Sequence, residues 1–135
     1  MIKDQKLKRM EAKDYLVLAE IYLEIAEFWG RKKEYLRGVV DAAYNSAELC
    51  AKGLLTLKLE KIPSIHGGVI QKFSQFYIKT NVLKKELGRI FQKALRLRNI
   101  ARYEVRKEIT NEDTKEVLRL TKELIRFIKK ELERF

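Results

Sequence analysis

Leu36, Val40, Ala43, Ala47, Cys50, Leu54 and Leu57 follow one another at alternating steps of four and three. That spacing stacks side chains on one face of an α-helix. The middle of the stripe is small (Ala43, Ala47, Cys50), and small side chains let a second helix backbone approach closely. This segment is therefore placed at the centre of the fold. It is expected to end near Leu59, because "EKIPSIHGG" follows with the only Pro and a Gly pair. Ahead of it, Tyr15, Ala19, Tyr22, Ala26 and Trp29 mark a first helix from Asp4 to about Trp29. Gly30 is expected to end that helix in the left-handed conformation. A third helix is read from Val69 to Ile78, with Val69, Phe73, Phe76 and Tyr77 inward. A fourth runs from about Val82 to Tyr103 on the stripe Leu83, Leu87, Ile90, Ala94, Leu97 and Ala101. Thr110 followed by Asp113 is a start signal similar to a capping box, although Glu is usual at that place. The fifth helix then reaches the C-terminus with Val117, Leu120, Leu124, Phe127, Ile128 and Leu132 inward.

The pattern predicts an all-α, five-helix up-and-down bundle, mostly antiparallel because the connections are short. One domain over residues 1–135 accounts for the length. "AEIYLEIAEFWGRKKEYLRGVVDAAYNSA" has the form of one tetratricopeptide unit, but an array repeats at a fixed period, and the second half holds no copy.

Composition narrows the function more than the fold. No apolar run approaches the length of a membrane span, and "MIKDQKLKRMEAKDY" has no apolar core of signal-peptide length. Cys50, the single cysteine, allows no internal disulfide. A cytoplasmic location is the expectation from these features. Gly-rich phosphate loops of the strand–loop–helix kind are absent. One Cys and one His cannot make a tetrahedral zinc site, so neither a metal nor a cofactor is expected. Cys50 is read as a core residue. The formal net charge of +11 favours an anionic partner, either RNA, a nucleotide or an acidic protein.

The cations concentrate in one place. From Arg89 to Lys107 there are seven basic residues against one acid, Glu104. At about 100° per residue, Arg98 falls about 40° from Ala94, on the shoulder of the buried face. Arg102 lies about 80° from Ala94, and Arg96, Asn99, Tyr103 and Arg106 point to the far side. A partly buried guanidinium needs an anion to offset its lost hydration. That anion is either a carboxylate of a neighbouring helix, with Asp41 and Glu48 as candidates, or a phosphate.

"RNIARY", Arg98 to Tyr103, resembles the R-N-x-x-x-H signature of HEPN domains. "RGVVDAAYNSAELCAKGLLTLKLEKIPSIHGGVIQKF" resembles the second helix of that family, its loop with a His-Gly pair and the start of the third helix. Thr110 to Phe135 resembles the closing helix. The resemblance implies a homodimeric helical bundle in which active members cut RNA without metal, at an Arg and His motif facing a cleft between protomers. It also implies a nucleotidyltransferase partner protein in a toxin–antitoxin pair. Arg98 matches the motif Arg and Asn99 its polar neighbour, but Tyr103 stands where His is usual. Arg102 stands where an uncharacterised prokaryotic branch, with an Arg…Ala-Asp-Tyr form, has Asp. A phenol of ordinary pKa near 10 is ionised about one part in a thousand at pH 7, which makes it a poor general base. In a straight helix Arg98 and Tyr103 are about 140° apart, so a bend or a second chain is expected if they are to grip one phosphate.

Three functions follow. The first is an RNA- or nucleotide-binding module with weak or no nuclease activity, using Arg98, Asn99, Arg102 and Arg106 on phosphate, with Tyr103 stacking on a base or donating a hydrogen bond. The second is an active, metal-independent ribonuclease toxin, with Arg98 and Tyr103 catalytic or with His66 brought close by the fold. The third is a helical scaffold for an acidic partner. Otherwise His66 fixes its loop or caps the third helix, and Tyr103 is a surface aromatic.

Overall fold

A computed structural model describes residues 2–135. Five helices, α1 (Gln5–Lys32), α2 (Leu36–Thr56), α3 (His66–Phe73), α4 (Lys85–Tyr103) and α5 (Asn111–Arg134), form an all-α bundle with no strand among the described residues. α2 is central and packs against each of the other four helices. None of the helices is long and apolar enough to cross a membrane.

Each boundary has a local cause. The Asp4 carboxylate accepts from Leu7 N at 2.8 Å and caps α1. Gly30 does not end α1, contrary to the sequence expectation. The helix continues to Lys32, and Lys33 takes the left-handed conformation (φ 55°), with Lys33 N and Glu34 N donating to the carbonyls of Gly30 and Trp29. That pair of bonds satisfies the last carbonyls of the helix. The Trp29 indole, 4.8 Å edge-on from the Tyr35 ring, packs the short turn in place. α5 starts with a true capping box: Thr110 Oγ1 accepts from Asp113 N at 3.1 Å, and the Asp113 carboxylate accepts from Thr110 N at 3.0 Å. Asp therefore serves where Glu is usual. α3 begins at His66, three residues earlier than its apolar pattern, and runs into one wide π-turn at Ser74–Ile78, where Lys79 N reaches Ser74 O at 2.8 Å. The extra residue in that turn lets Tyr77 and Ile78, adjacent in sequence, both reach the core.

The small stripe of α2 does what its size allows. Ala43, Ala47 and Cys50 are fully buried. Hydroxyls stitch the close helices together: Ser46 donates to Ala19 O of α1, and Thr121 of α5 donates to Ala43 O, both at 2.6 Å. Gly53 marks the tightest approach. A β-carbon there would lie 2.7 Å from Ile128 Cδ1, 3.2 Å from Tyr15 Cβ and 3.3 Å from the backbone oxygen of Ala12.

α1 is apolar on two sides. Ala12, Leu16, Ala19 and Ala26 are buried against α2 and α5, while Met10, Val17, Leu18, Ile21, Ile25 and Phe28 are exposed on the opposite face. A contiguous exposed stripe of this kind on a small protein marks a surface that meets something.

Gly-to-Ala in a helix interior ordinarily stabilises by up to about 1 kcal/mol. Gly53→Ala is expected to do the reverse, lowering the unfolding free energy by about 1–3 kcal/mol, because two of the three crowding atoms belong to or adjoin the α1 backbone. Urea unfolding followed by circular dichroism reads this; a midpoint at or above wild type would show that α1 can retreat without cost.

Candidate functional site

Arg37, Asp41, Tyr44, Glu48 and Lys52 lie on one face of α2 at steps of four, three, four and four. This polar stripe runs about 100° round from the apolar one and faces α3 and the C-terminal half of α4. At its first position, Arg37 donates to the carbonyls of Ile100 (2.9 Å), Ala101 (3.2 Å), Glu104 (3.0 Å), Val105 (3.1 Å) and Lys107. One guanidinium thus gathers the carbonyls at the end of α4 and in the following turn, where Ile100 O and Glu104 O also accept from Glu104 N and Lys107 N. The end of α4, where Arg98 to Tyr103 sit, is fixed from α2.

Asp41 forms a two-pronged ion pair with Arg102, 2.5 Å to Nε and 3.1 Å to Nη2. The hydrogen bond that Arg102 donates to Asp41 is the main cause holding the Arg102 pKa above its usual value. Two turns on, Glu48 is only 4% exposed. It accepts from Tyr44 Oη at 2.9 Å, binds His66 Nδ1 at 2.5 Å, and has Lys52 Nζ 3.7 Å away. Burial, followed by the neighbouring Glu48 charge, pushes the Tyr44 phenol well above its usual range, while the Arg98 charge pulls the other way. Tyr44 therefore stays protonated and donates. Its ring packs edge-on against His66, with centroids 6.0 Å apart.

Arg98 itself is half-buried. Its Nη1 donates to Asn99 Oδ1 at 2.9 Å, and its guanidinium carbon lies 6.0 Å from the centre of the Tyr103 ring. The two carboxylates considered as its partners are taken, Asp41 by Arg102 and Glu48 by His66, Tyr44 and Lys52. Among the described residues no carboxylate pairs with Arg98. The ion-pair reading of Arg98 is therefore set aside. The expectation that Arg98 and Tyr103 need a bend or a second chain is also corrected. α4 is continuous from Lys85 to Tyr103, and the long Arg98 side chain swings toward the ring within one chain.

The remaining residues fall into place around this pair. Asn99 orients the guanidinium, with its amide nitrogen left to donate. Tyr103 is 71% exposed at the end of α4. Arg102 is engaged with Asp41. Arg106 is exposed in the turn after α4, beside Arg37 and Lys107. His66 anchors the start of α3 to α2 through Nδ1, and its side chain is 44% exposed. With a carboxylate at Nδ1, that nitrogen carries a proton and Nε2 faces away from Glu48. Sequence reasoning named Glu48 only as a candidate partner of Arg98 and did not assign Tyr44 or Arg37. Their signal was present as a second helical period on α2, masked by the stronger apolar one. Among the described residues no cluster of His, Cys, Asp and Glu is arranged to hold a metal, and Cys50 is buried, its thiol pushed up chiefly by burial.

Arg37→Lys keeps a charge but cannot span several carbonyls. It is expected to lower the unfolding free energy by about 2 kcal/mol, the scale of hydrogen bonds made by a charged group. Equal urea midpoints for variant and wild type would show that the turn after α4 holds without the guanidinium.

The family model described as HEPN domain matches residues 12–132. A relative from Methanocaldococcus jannaschii, named "Putative toxin MJ0142", is 35% identical over 85 residues, covering 63% of this chain and 57% of that protein. The match thus spans little more than half the length of that relative.

Proposed function

The chain belongs to the HEPN domain family, and on that premise we propose that it binds single-stranded RNA or a nucleotide through a phosphate held by Arg98, as a toxin-like component. One observation carries the reading: Arg98 is a half-buried guanidinium oriented by Asn99, with both nearby carboxylates already paired elsewhere. Such a group is short of an anion, and a phosphate supplies one with matching planar geometry. Tyr103, exposed beside Arg98, offers a ring face to a base. Arg106 adds positive potential from the adjoining turn, and Arg102 adds less because Asp41 offsets it. The name of the relative supports a toxin-like role, and the nucleotidyltransferase partner implied by the resemblance belongs to the same proposal.

A second reading, cleavage, is favoured by the Glu48–His66 pair. His66 Nε2 would take the proton of a ribose 2′-hydroxyl as that oxygen bonds to phosphorus. The bond from phosphorus to the 5′-oxygen would break, leaving a 2′,3′-cyclic phosphate and a 5′-hydroxyl protonated by solvent. Arg98 would offset the charge on the phosphoryl oxygens. His66, not Tyr103, is then the base.

Wild type, Arg98→Ala and His66→Ala are to be incubated with a mixed RNA pool in chelator, and binding and cleavage followed together. Binding by wild type, weakened roughly tenfold or more in Arg98→Ala, is the expected result. Cleavage by wild type that disappears in His66→Ala would establish the second reading. Wild-type binding equal to that of Arg98→Ala would sink the phosphate role of Arg98.

We also propose that two copies pair through the outer face of α1. In an antiparallel arrangement centred near residue 23, Leu18 meets Phe28, Ile21 meets Ile25, and Asp14 meets Lys32, the last two having no ion-pair partner among the described residues. α1 touches neither α3 nor α4, so this pairing leaves the Arg98 site open, unlike the cleft between protomers implied by the resemblance. Light scattering is expected to give twice the chain mass, Asp14→Lys to weaken the dimer, and Asp14→Lys with Lys32→Asp to restore it. A wild-type monomer at high protein concentration, or no restoration by the charge swap, would count against it.

A further inference from the structure

Between α3 with its π-turn and α4 lies a cleft of about 380 Å³, at the small end of ligand-sized sites. Ile70 and Leu95 give it an apolar floor, and Gln71, Gln92, Lys79 and Arg96 supply its polar groups. No acidic residue lines it. Neither Lys79 nor Arg96 joins any ion pair among the described residues, in contrast to Lys93, which Glu116 and Asp113 neutralise, and Arg102, which Asp41 neutralises. The side-chain amides of Gln71 and Gln92 are likewise not used to hold the fold together. The cleft therefore carries two uncompensated positive charges and two free amides over an apolar surface.

Its position ties it to the site already described. Gly67, which opens the cleft on the α3 side, directly follows His66. On α4, at about 100° per residue, Leu95, Asn99, Gln92 and Arg96 follow Arg98 in order around about 160° of the helix. The surface running away from Arg98 thus leads into the cleft without an intervening acid.

We infer that this cleft is a second nucleotide subsite, taking the residue of a single-stranded RNA next to the one whose phosphate Arg98 holds. The inference rests on the phosphate reading of Arg98. A base lies against Ile70 and Leu95, and Gln71 and Gln92, each both donor and acceptor, address its edge. Lys79 and Arg96 meet the phosphates on either side. The volume suits one unstacked nucleotide and no duplex, and unstacked bases are what single strands present.

The test measures anisotropy of a labelled eight-nucleotide RNA against salt, alongside binding of a nucleoside 3′-monophosphate. Wild type is compared with Arg98→Ala, with Lys79→Ala/Arg96→Ala, and with a control that removes two distant cations, Lys6→Ala/Lys13→Ala. Each phosphate contact on a single strand contributes about 0.7 to the slope of log K against log salt. The cleft variant should lower the slope by about 1.4 on that scale and leave monophosphate binding intact, while the control changes neither. Arg98→Ala should weaken both ligands. Gln71→Ala/Gln92→Ala should keep the slope and narrow the preference among homopolymeric RNAs. A cleft variant with the wild-type slope, or one no different from the control, overturns the subsite even when Arg98→Ala fails to bind. Loss in the cleft variant with Arg98→Ala unaffected removes Arg98 from the site and leaves the cleft as the anchor. Absence of RNA binding by wild type overturns both.

Discussion

Glu48 is a carboxylate set inside a helical bundle, and a buried charge persists there only if partners compensate its lost hydration. Three do so: the Tyr44 hydroxyl, the His66 ring and the Lys52 ammonium. Much of the site follows from this one demand. His66 must reach back to α2, which sets where α3 begins. Tyr44 must stay protonated to donate, which keeps a neutral ring beside His66. Glu48 is bonded to Tyr44 and His66 and faces Lys52, and Asp41 is committed to Arg102. The half-buried guanidinium of Arg98 is left with an amide oxygen and an aromatic ring. The shortage of anions at Arg98 is thus a consequence of where two carboxylates, about two turns apart on α2, spend their bonds.

The fold was legible because it rests on steric period. The small stripe of Ala43, Ala47 and Cys50 announced a central helix, and the structure surrounds α2 with the other four. Thr110 and Asp113 announced the start of α5, and both bonds of the box are made. Gly30 misled for a physical reason. Glycine is free to adopt the left-handed turn but is not obliged to, and the helix continues until the Trp29–Tyr35 packing and two carbonyl bonds close it at Lys33. The π-turn at Ser74–Ile78 could not be read from period at all, since one inserted residue shifts the phase only locally.

The site was legible in part. Arg98 stood out because its wheel position joins a charge to a buried shoulder, and Asn99 because it adjoins it. Its lack of a carboxylate could not be read from spacing, since that depends on which side chains of α2 reach α3 and which reach α4. Nor could the approach of Arg98 to Tyr103. A wheel records the direction of the Cα–Cβ bond, whereas a guanidinium lies several bonds beyond it and can swing around the helix. Glu48 was named only as a candidate partner of Arg98; its neighbours in sequence, Ala47, Leu49 and Cys50, were the guide to its own burial.

The tyrosine at the motif position and the histidine on α3 bear on each other. At Tyr103 the chain places an exposed phenol, suited to stacking and to donating a hydrogen bond. An imidazole with a carboxylate at its back occurs instead at His66, on another helix and against the Tyr44 ring. Arg98, oriented by Asn99, sits on α4 and His66, backed by Glu48, sits on α3, and both helices pack on α2. In such a division, the geometry between cation and base is governed by how α3 docks on α2. That docking combines buried Val69 and Phe73, the Tyr77 hydroxyl on Leu54 O and the Glu48–His66 bond, so the residue proposed to act on the ribose also helps to hold its own helix in place.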